Sequence, residues 1–316
     1  MLGVIVADND PAAIAASIAR LGWRLVVLLC FPAGLVMFFD TLGWRFAFTR
    51  DRVGLGTLMP ARLVGEAFNM TTPTAALGGE AVKTWLLRGR VPVDEGLSSV
   101  IVAKTTITIA QGLLLLLGVV LAWTSLAADS RLLVAMQWLL GLEVLALSVF
   151  VVAQTRGLAA FGGRLLGRVG LRRFERHEAL GRVDRALASF YREQPARLAL
   201  SIACHFAAWL LGALEAYLIL WFLDTPVSLV TATVIEAFGT GIRFATFLIP
   251  GSLGALEGGY AATFAALGLG STTGVSFSLV RRLREAVWIA LGLTAFALMR
   301  PGRPPGSLPA DRSTSR

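Results

Sequence analysis

Cysteine, histidine and lysine are almost missing from this 316-residue chain: it holds two cysteines, two histidines, and only Lys83 and Lys104 among 29 basic residues. Cys30 and Cys204 each sit inside an apolar run with no CxxC or Cys/His spacing, which excludes a disulfide framework and a zinc site. Both read as packing residues. Charge is scarce as well, at 16% against about 25% in ordinary globular chains, so the chain lacks the polar surface a soluble protein of this length needs. Between residues 21 and 300 no DxD pair, HExxH, GxSxG elbow or P-loop occurs, and no nucleophile stands beside a base. The expectation is a protein that is not an enzyme and needs no cofactor or metal.

What is present is apolar. Hydrophobic residues make up 56% of the chain and the mean hydropathy is +0.71, which places it in a membrane, where a crossing helix takes about 20 residues. Apolar stretches cover 21–39, 57–79, 97–123, 132–153, 198–223, 227–249, 252–269 and 275–299. This predicts an all-α polytopic membrane fold of about eight segments. Two of them, 57–79 and 252–269, are interrupted by Pro or Gly and carry charge, so each is either broken or re-entrant.

The net charge of +9 falls mostly in loops, which points to cytoplasmic loop bias and away from nucleic acid. The 154–196 stretch is rich in arginine. Its residues Leu165, Leu166, Val169, Phe174, Leu180, Val183 and Leu187 recur at helical intervals, as in a helix lying on an anionic leaflet. That loop and the basic tail over 301–316 are expected on the cytoplasmic side. Eight crossings satisfy both but leave Arg45, Arg50 and Arg52 outside, a conflict that disappears if 57–79 does not cross. Residues 1–20 precede the first span, which lacks a signal-peptide pattern and reads as a retained anchor.

Charges inside the apolar segments are the informative ones, since an ionisable group at membrane depth usually meets a partner or a wet cavity. Arg62, Glu66 and Asn69 fall at i, i+4 and i+7 on one helical stripe. Glu236, Thr240 and Arg243 repeat the arrangement before Pro250, and Arg281, Arg282, Arg284 and Glu285 crowd the last helix. Arg62 with Glu66 and Arg281 with Glu285 could be intrahelical pairs. Three arginines against one glutamate in the last helix would still call for an anion. Glu143 and Glu215, each alone in its helix, read as contacts between helices. His177 and His205 read as solvated or satisfied.

The chain also repeats itself. Pro73, Glu80 and Lys104 recur as Pro250, Glu257 and Arg281 with a constant offset of 177, and PTAALGGE stands beside PGSLGALEGG. Broken segments at matching places in two halves point to a carrier binding site in an inverted repeat. Half-helix ends at these breaks attract anions, and the cations Lys104, Arg281, Arg282 and Arg284 suit phosphate. Glu80 and Glu257 are candidates to hold those cations while the site is empty.

The stretches NMTTPTAALGGEAVKTWLLRG and PGSLGALEGGYAATFAALGL, with the Arg281 helix behind them, resemble the paired signatures of the lysylphosphatidylglycerol synthase transmembrane-region family of flippase-like membrane proteins. The resemblance covers about 21–300. It implies a translocase of a modified phospholipid, with Asn69, Pro73, Gly78, Gly79, Glu80, Pro250, Gly254, Glu257, Arg281 and Arg282 at the site. Little chain follows the last helix, so the aminoacyl-transferring half of such relatives is not expected. Stand-alone relatives occur beside isoprenoid, hopanoid and glycolipid pathways, whose enzymes are candidate partners.

The leading expectation is a translocase of the bacterial inner membrane for an anionic phospholipid or an isoprenoid- or hopanoid-type lipid. Its substrate-binding candidates are Arg62, Glu66, Asn69, Pro73, Gly78, Gly79, Glu80, Lys104, Glu236, Arg243, Pro250, Gly254, Glu257, Arg281, Arg282, Arg284 and Glu285. The alternatives are a membrane-embedded lipid transferase using Glu80 or Glu257 as base, and an accessory scaffold docking through the arginine loop.

Overall fold

Long apolar runs leave the backbone no partner in lipid except itself, so helix is the expected outcome. The computed structural model describes residues 21–50, 53–72, 78–127, 129–155, 157 and 177–299, and all its regular structure there is helical. Four helices are long and apolar enough to cross a membrane: α1 (Arg24–Phe46), α4 (Val93–Ser125), α5 (Arg131–Thr155) and α7 (Pro195–Phe222). A further long helix, α10 (Ser271–Leu298), has 28 residues and carries the Arg281 cluster.

Each interrupted segment forms part of a helical hairpin. Helix α2 (Leu55–Thr71) is followed by the short α3 (Gly78–Leu87). Gly65 meets Lys83, and Gly79 meets Asn69, so the two run antiparallel. Ten residues of α3 span about 15 Å, half the hydrocarbon thickness, which is too little to cross. The second hairpin pairs α8 (Leu229–Ala245) with α9 (Ala255–Ala266) through a 3-10 turn at Pro250–Ser252. Its arms meet at Gly239 with Tyr260 and at Ile242 with Gly259. Among the described residues, 57–79 thus holds a helix that ends at Thr71 and the start of a second at Gly78, and 252–269 holds the short arm of a hairpin.

The hairpins open on opposite ends of the bundle. Helix α1 packs along α7, with Ser201 donating to the Gly43 carbonyl and Leu28 sharing a cluster with Ile219 and Leu220, so they are antiparallel. Hairpin one follows the end of α1 and hairpin two the end of α7. The units α1–α4 and α7–α10 are therefore inverted copies, and α3 and α9 begin at Gly78 and Ala255, again 177 apart. Contacts cross over in the same sense, α2 on α10 and α8 on α4. Small residues allow the close approach: a side chain on Gly292 would strike Ala67 and the Leu63 carbonyl, and one on Gly118 would overlap Ala237.

The loops after α1, before α4 and after α10 then share one end with the junction of α5 to α6 (His177–Glu193). Arg45 and Arg50 join the arginine loop at that end, and the conflict set by eight crossings vanishes. Helix α6 packs on α4, α5 and α7 and buries Val183, Leu187 and Phe190 in one apolar cluster with Val100, Val102 and Ala103 of α4, so these residues are covered by protein and not by a leaflet. The remaining residues read as a surface helix, 165–174, lie outside the described residues, as do the N-terminal segment and the tail. Cys30, read as packed, is exposed on α1.

Candidate functional site

The inverted hairpins meet over a cavity of about 460 Å³, within the range of small-molecule sites. Ten ionisable side chains line it: Asp40, Glu66, Glu215, Glu236 and Glu285 against Arg62, Lys104, Arg243, Arg281 and Arg284. Asn69, Pro250 and Tyr260 also reach it. The polar stripes read from the sequence thus converge from α2, α4, α8 and α10 on one space.

Hairpin one supplies a chain of ion pairs. Arg62 Nη2 contacts Asp40 of α1 at 2.8 Å and Glu66 at 3.6 Å, and Lys83 Nζ reaches Glu66 at 3.4 Å and Glu80 at 3.1 Å. The expected Arg62 and Glu66 pair forms, but Asp40 is the nearer partner. Asp40 also bonds His205 Nδ1 at 2.7 Å, so His205 is satisfied on that nitrogen. Asn69 organises the hairpin, donating to Glu80 at 3.2 Å and accepting from Gly79 N at 2.8 Å. Gly79 has no room for a side chain, because a Cβ would overlap the Gly65 carbonyl oxygen.

Hairpin two holds the denser cluster. Arg281 contacts Glu236 at 2.6 Å and Glu215 at 3.9 Å, and donates to the Tyr260 hydroxyl at 3.0 Å. Arg282 bonds Glu257 at 2.6 Å and Glu285 at 2.8 Å. Arg284 meets Glu215 at 2.5 Å, and Arg243 meets Glu285 at 2.9 Å. Arg281 and Glu285 do not pair along their helix; each turns to another partner. Glu257 accepts from Gly254 N at 2.6 Å, capping α9 where the chain turns through Gly254 at φ 81°, a conformation favouring glycine.

Two readings change as a result. The positive surplus on the last helix is answered by the protein: Glu215, Glu236, Glu257 and Glu285 face Arg243, Arg281, Arg282 and Arg284. The N-termini of α3 and α9 do not wait for an anion either, since Asn69 and Glu257 bond them. Glu257 holds Arg282, one of the cations expected of it, whereas Glu80 holds Lys83 and not Lys104. Gly78, Gly79, Glu80, Gly254, Glu257 and Arg282 stand behind the cavity wall, and Pro73 lies outside the described residues. One lining cation stays uncommitted: among the described residues, the Lys104 ammonium makes no ion pair.

Asp40, Glu215 and Tyr260 were missed. Asp40 sits one position beyond the first apolar stretch and reads as loop. Glu215 stood out as a lone intramembrane acid, and the four cations of 243–284 were the signal that it had a partner. Tyr260 is silent in the sequence, since nothing marks its hydroxyl as the partner of a buried guanidinium.

The family model for the lysylphosphatidylglycerol synthase TM region matches residues 1–292, almost the whole chain and both hairpins. The chain belongs to this family. It is 27% identical over 286 residues to a UPF0104 membrane protein of Methanothermobacter thermautotrophicus, covering 83% of this chain and 81% of that one. No solved structure matches the chain. The family assignment accords with the charged hairpin stretches on which the resemblance rested, and membership makes this a multi-pass membrane protein.

Proposed function

We propose that this family member is a lipid translocase, with the cavity between the inverted hairpins as its headgroup site. The observation that carries the reading is a charged cavity inside an apolar bundle whose rim is apolar and open. Phe247, Leu248 and Ile249 at the tip of hairpin two line the cavity and are 55%, 67% and 41% exposed. Such side chains at membrane depth face acyl chains, so a headgroup can enter sideways while its tails stay in the bilayer.

Lys104 is the natural seat for a lipid phosphate, being the lining cation without an ion pair among the described residues, and the Glu66 side chain, 40% exposed, is the open carboxylate beside it. The other lining charges are four arginines against five carboxylates and leave no further positive charge, so the site suits a headgroup with a single anionic group better than a polyanion. This keeps anionic phospholipids and isoprenoid- or hopanoid-type lipids as the substrate classes. Catalysis by Glu80 or Glu257 is disfavoured by their placement, since each carboxylate is engaged by Lys83 or Arg282 and stands behind the cavity wall, out of reach of a bound lipid. The inverted architecture is that of alternating-access carriers.

The arginine-bearing end of the bundle belongs on the cytoplasmic side, which puts the tail inside and the start of α1 outside, in the cytoplasmic membrane of the cell. Transfer of headgroup-labelled lipid between leaflets of liposomes holding the purified protein tests the function. Leaflet exchange no faster than in protein-free liposomes, across phospholipid and isoprenoid-phosphate probes, would remove it.

A further inference from the structure

Among the described residues the buried carboxyl groups are those of Asp40, Glu143, Glu215, Glu236, Glu257 and Glu285. All are ion-paired except Glu143. It lies midway along α5, is 1% exposed, and neither of its oxygens has a hydrogen-bond partner. Its carboxyl packs over Gly112 of α4, where a Cβ would come within 3.7 Å of Cδ.

The helices packed on α5 are α4, α6 and α8. On α4 the charged groups are Lys104, about two turns away, and Asp94 and Glu95 beyond it. On α8, Glu236 and Arg243 are held by Arg281 and Glu285. Helix α6 carries Arg182, Asp184, Arg185, Arg192 and Glu193, and it joins α5 through Tyr191 and Gln154, about three turns from Glu143. An ionised carboxylate without a partner is strongly disfavoured at such depth. A bound proton removes that charge.

A route for the proton is built into α4. Lys104, Thr108 and Gly112 lie at i, i+4 and i+8 on one face; the first two line the cavity and the third underlies Glu143. Helix α8 covers this route: Gln111 donates to the Thr240 carbonyl at 3.0 Å. Leu139, one turn from Glu143, lies 3.0 Å from where a Gly241 side chain would begin. Withdrawal of α8 would break the first contact and loosen the second.

We propose that Glu143 is a proton-binding site that couples lipid movement to the transmembrane proton gradient. The carboxylate takes a proton from cavity water when α8 withdraws with the cavity open to one side, holds it as the carboxylic acid in the conformation described here, and releases it when the cavity next opens to the other side. The site itself stands on the packing around Glu143; the coupling rests on the translocase reading.

Infrared difference spectra of the purified protein against Glu143→Gln, which has the shape of the protonated side chain, test the site without any transport. At neutral pH a carboxylic-acid carbonyl band absent from the variant is expected. A carboxylate band in its place overturns the site. In liposomes, a one-unit pH gradient should shift the leaflet distribution of a transported lipid by up to about tenfold for one proton per lipid. Glu143→Gln should keep gradient-free transfer and lose that shift. An equal shift in both proteins overturns the coupling. Absence of transfer in both, with the acid band present, contradicts the translocase reading and leaves the proton site standing.

Discussion

Lys104 and Arg281 occupy equivalent places in the two copies, yet they differ in what surrounds them. Arg281 is held by Glu236, Glu215 and Tyr260, whereas Lys104 projects into the cavity without an ion pair among the described residues. Removing Arg281 leaves buried carboxylates uncompensated, and breaking a buried pair costs about 3–5 kcal/mol. Arg281→Ala is thus expected to lower the thermal unfolding temperature in detergent sharply. Arg281→Leu combined with Glu236→Leu should recover part of the loss, because the pair is then removed whole. Lys104→Gln should leave that temperature nearly unchanged while it weakens retention of a phosphate-bearing lipid, read by native mass spectrometry. A Lys104→Gln protein that retains lipid like the unsubstituted chain would remove Lys104 from the site. The stripes of Arg62, Glu66 and Asn69 and of Glu236 and Arg243 were legible because helical spacing alone puts them on one face. Which carboxylate each arginine chooses was not legible, since Glu215 and Arg284 are joined only by the packing of α7 on α10.

At the scale of elements, the hairpins depend on their tight crossings. Gly79 approaches Gly65 so closely that Gly79→Ala should destabilise the fold by about 1–3 kcal/mol, the usual cost of overpacking, and thermal melting checks this. A fall no larger than that for an exposed substitution would mean that α2 and α3 are not apposed as described. The repeat with an offset of 177 announced both hairpins, as Pro73 and Pro250 interrupt apolar stretches at matching places. Their direction was hidden. Apolar length gives the same signal for a crossing helix and for a hairpin arm, and α2, at 17 residues, sits at the lower limit of a crossing helix. Contacts such as Asn69 with Gly79, between residues on opposite sides of the break, decide the matter.

For the whole molecule, two inverted hairpins give a definite sidedness. In a chain with Cys30 and Cys204 replaced by alanine, single cysteines at Arg50 and Arg90 should react with an impermeant thiol reagent from one side of the membrane. Cysteines at Ala127 and Ser228 should react from the other. Labelling of Arg50 and Arg90 from opposite sides would mean that hairpin one crosses after all. Composition made the membrane legible, but the cavity arises only when the two copies face each other across α1 and α7. Its exposed apolar rim at Phe247, Leu248 and Ile249 is the ground on which we propose a lipid site. The central claim is that lipid headgroups pass through this cavity. Its most direct measurement is leaflet-to-leaflet transfer of headgroup-labelled lipid in liposomes carrying the unsubstituted protein or Lys104→Gln. The account predicts transfer well above protein-free liposomes, largely lost in Lys104→Gln at equal reconstitution. Equal transfer by both proteins would contradict it.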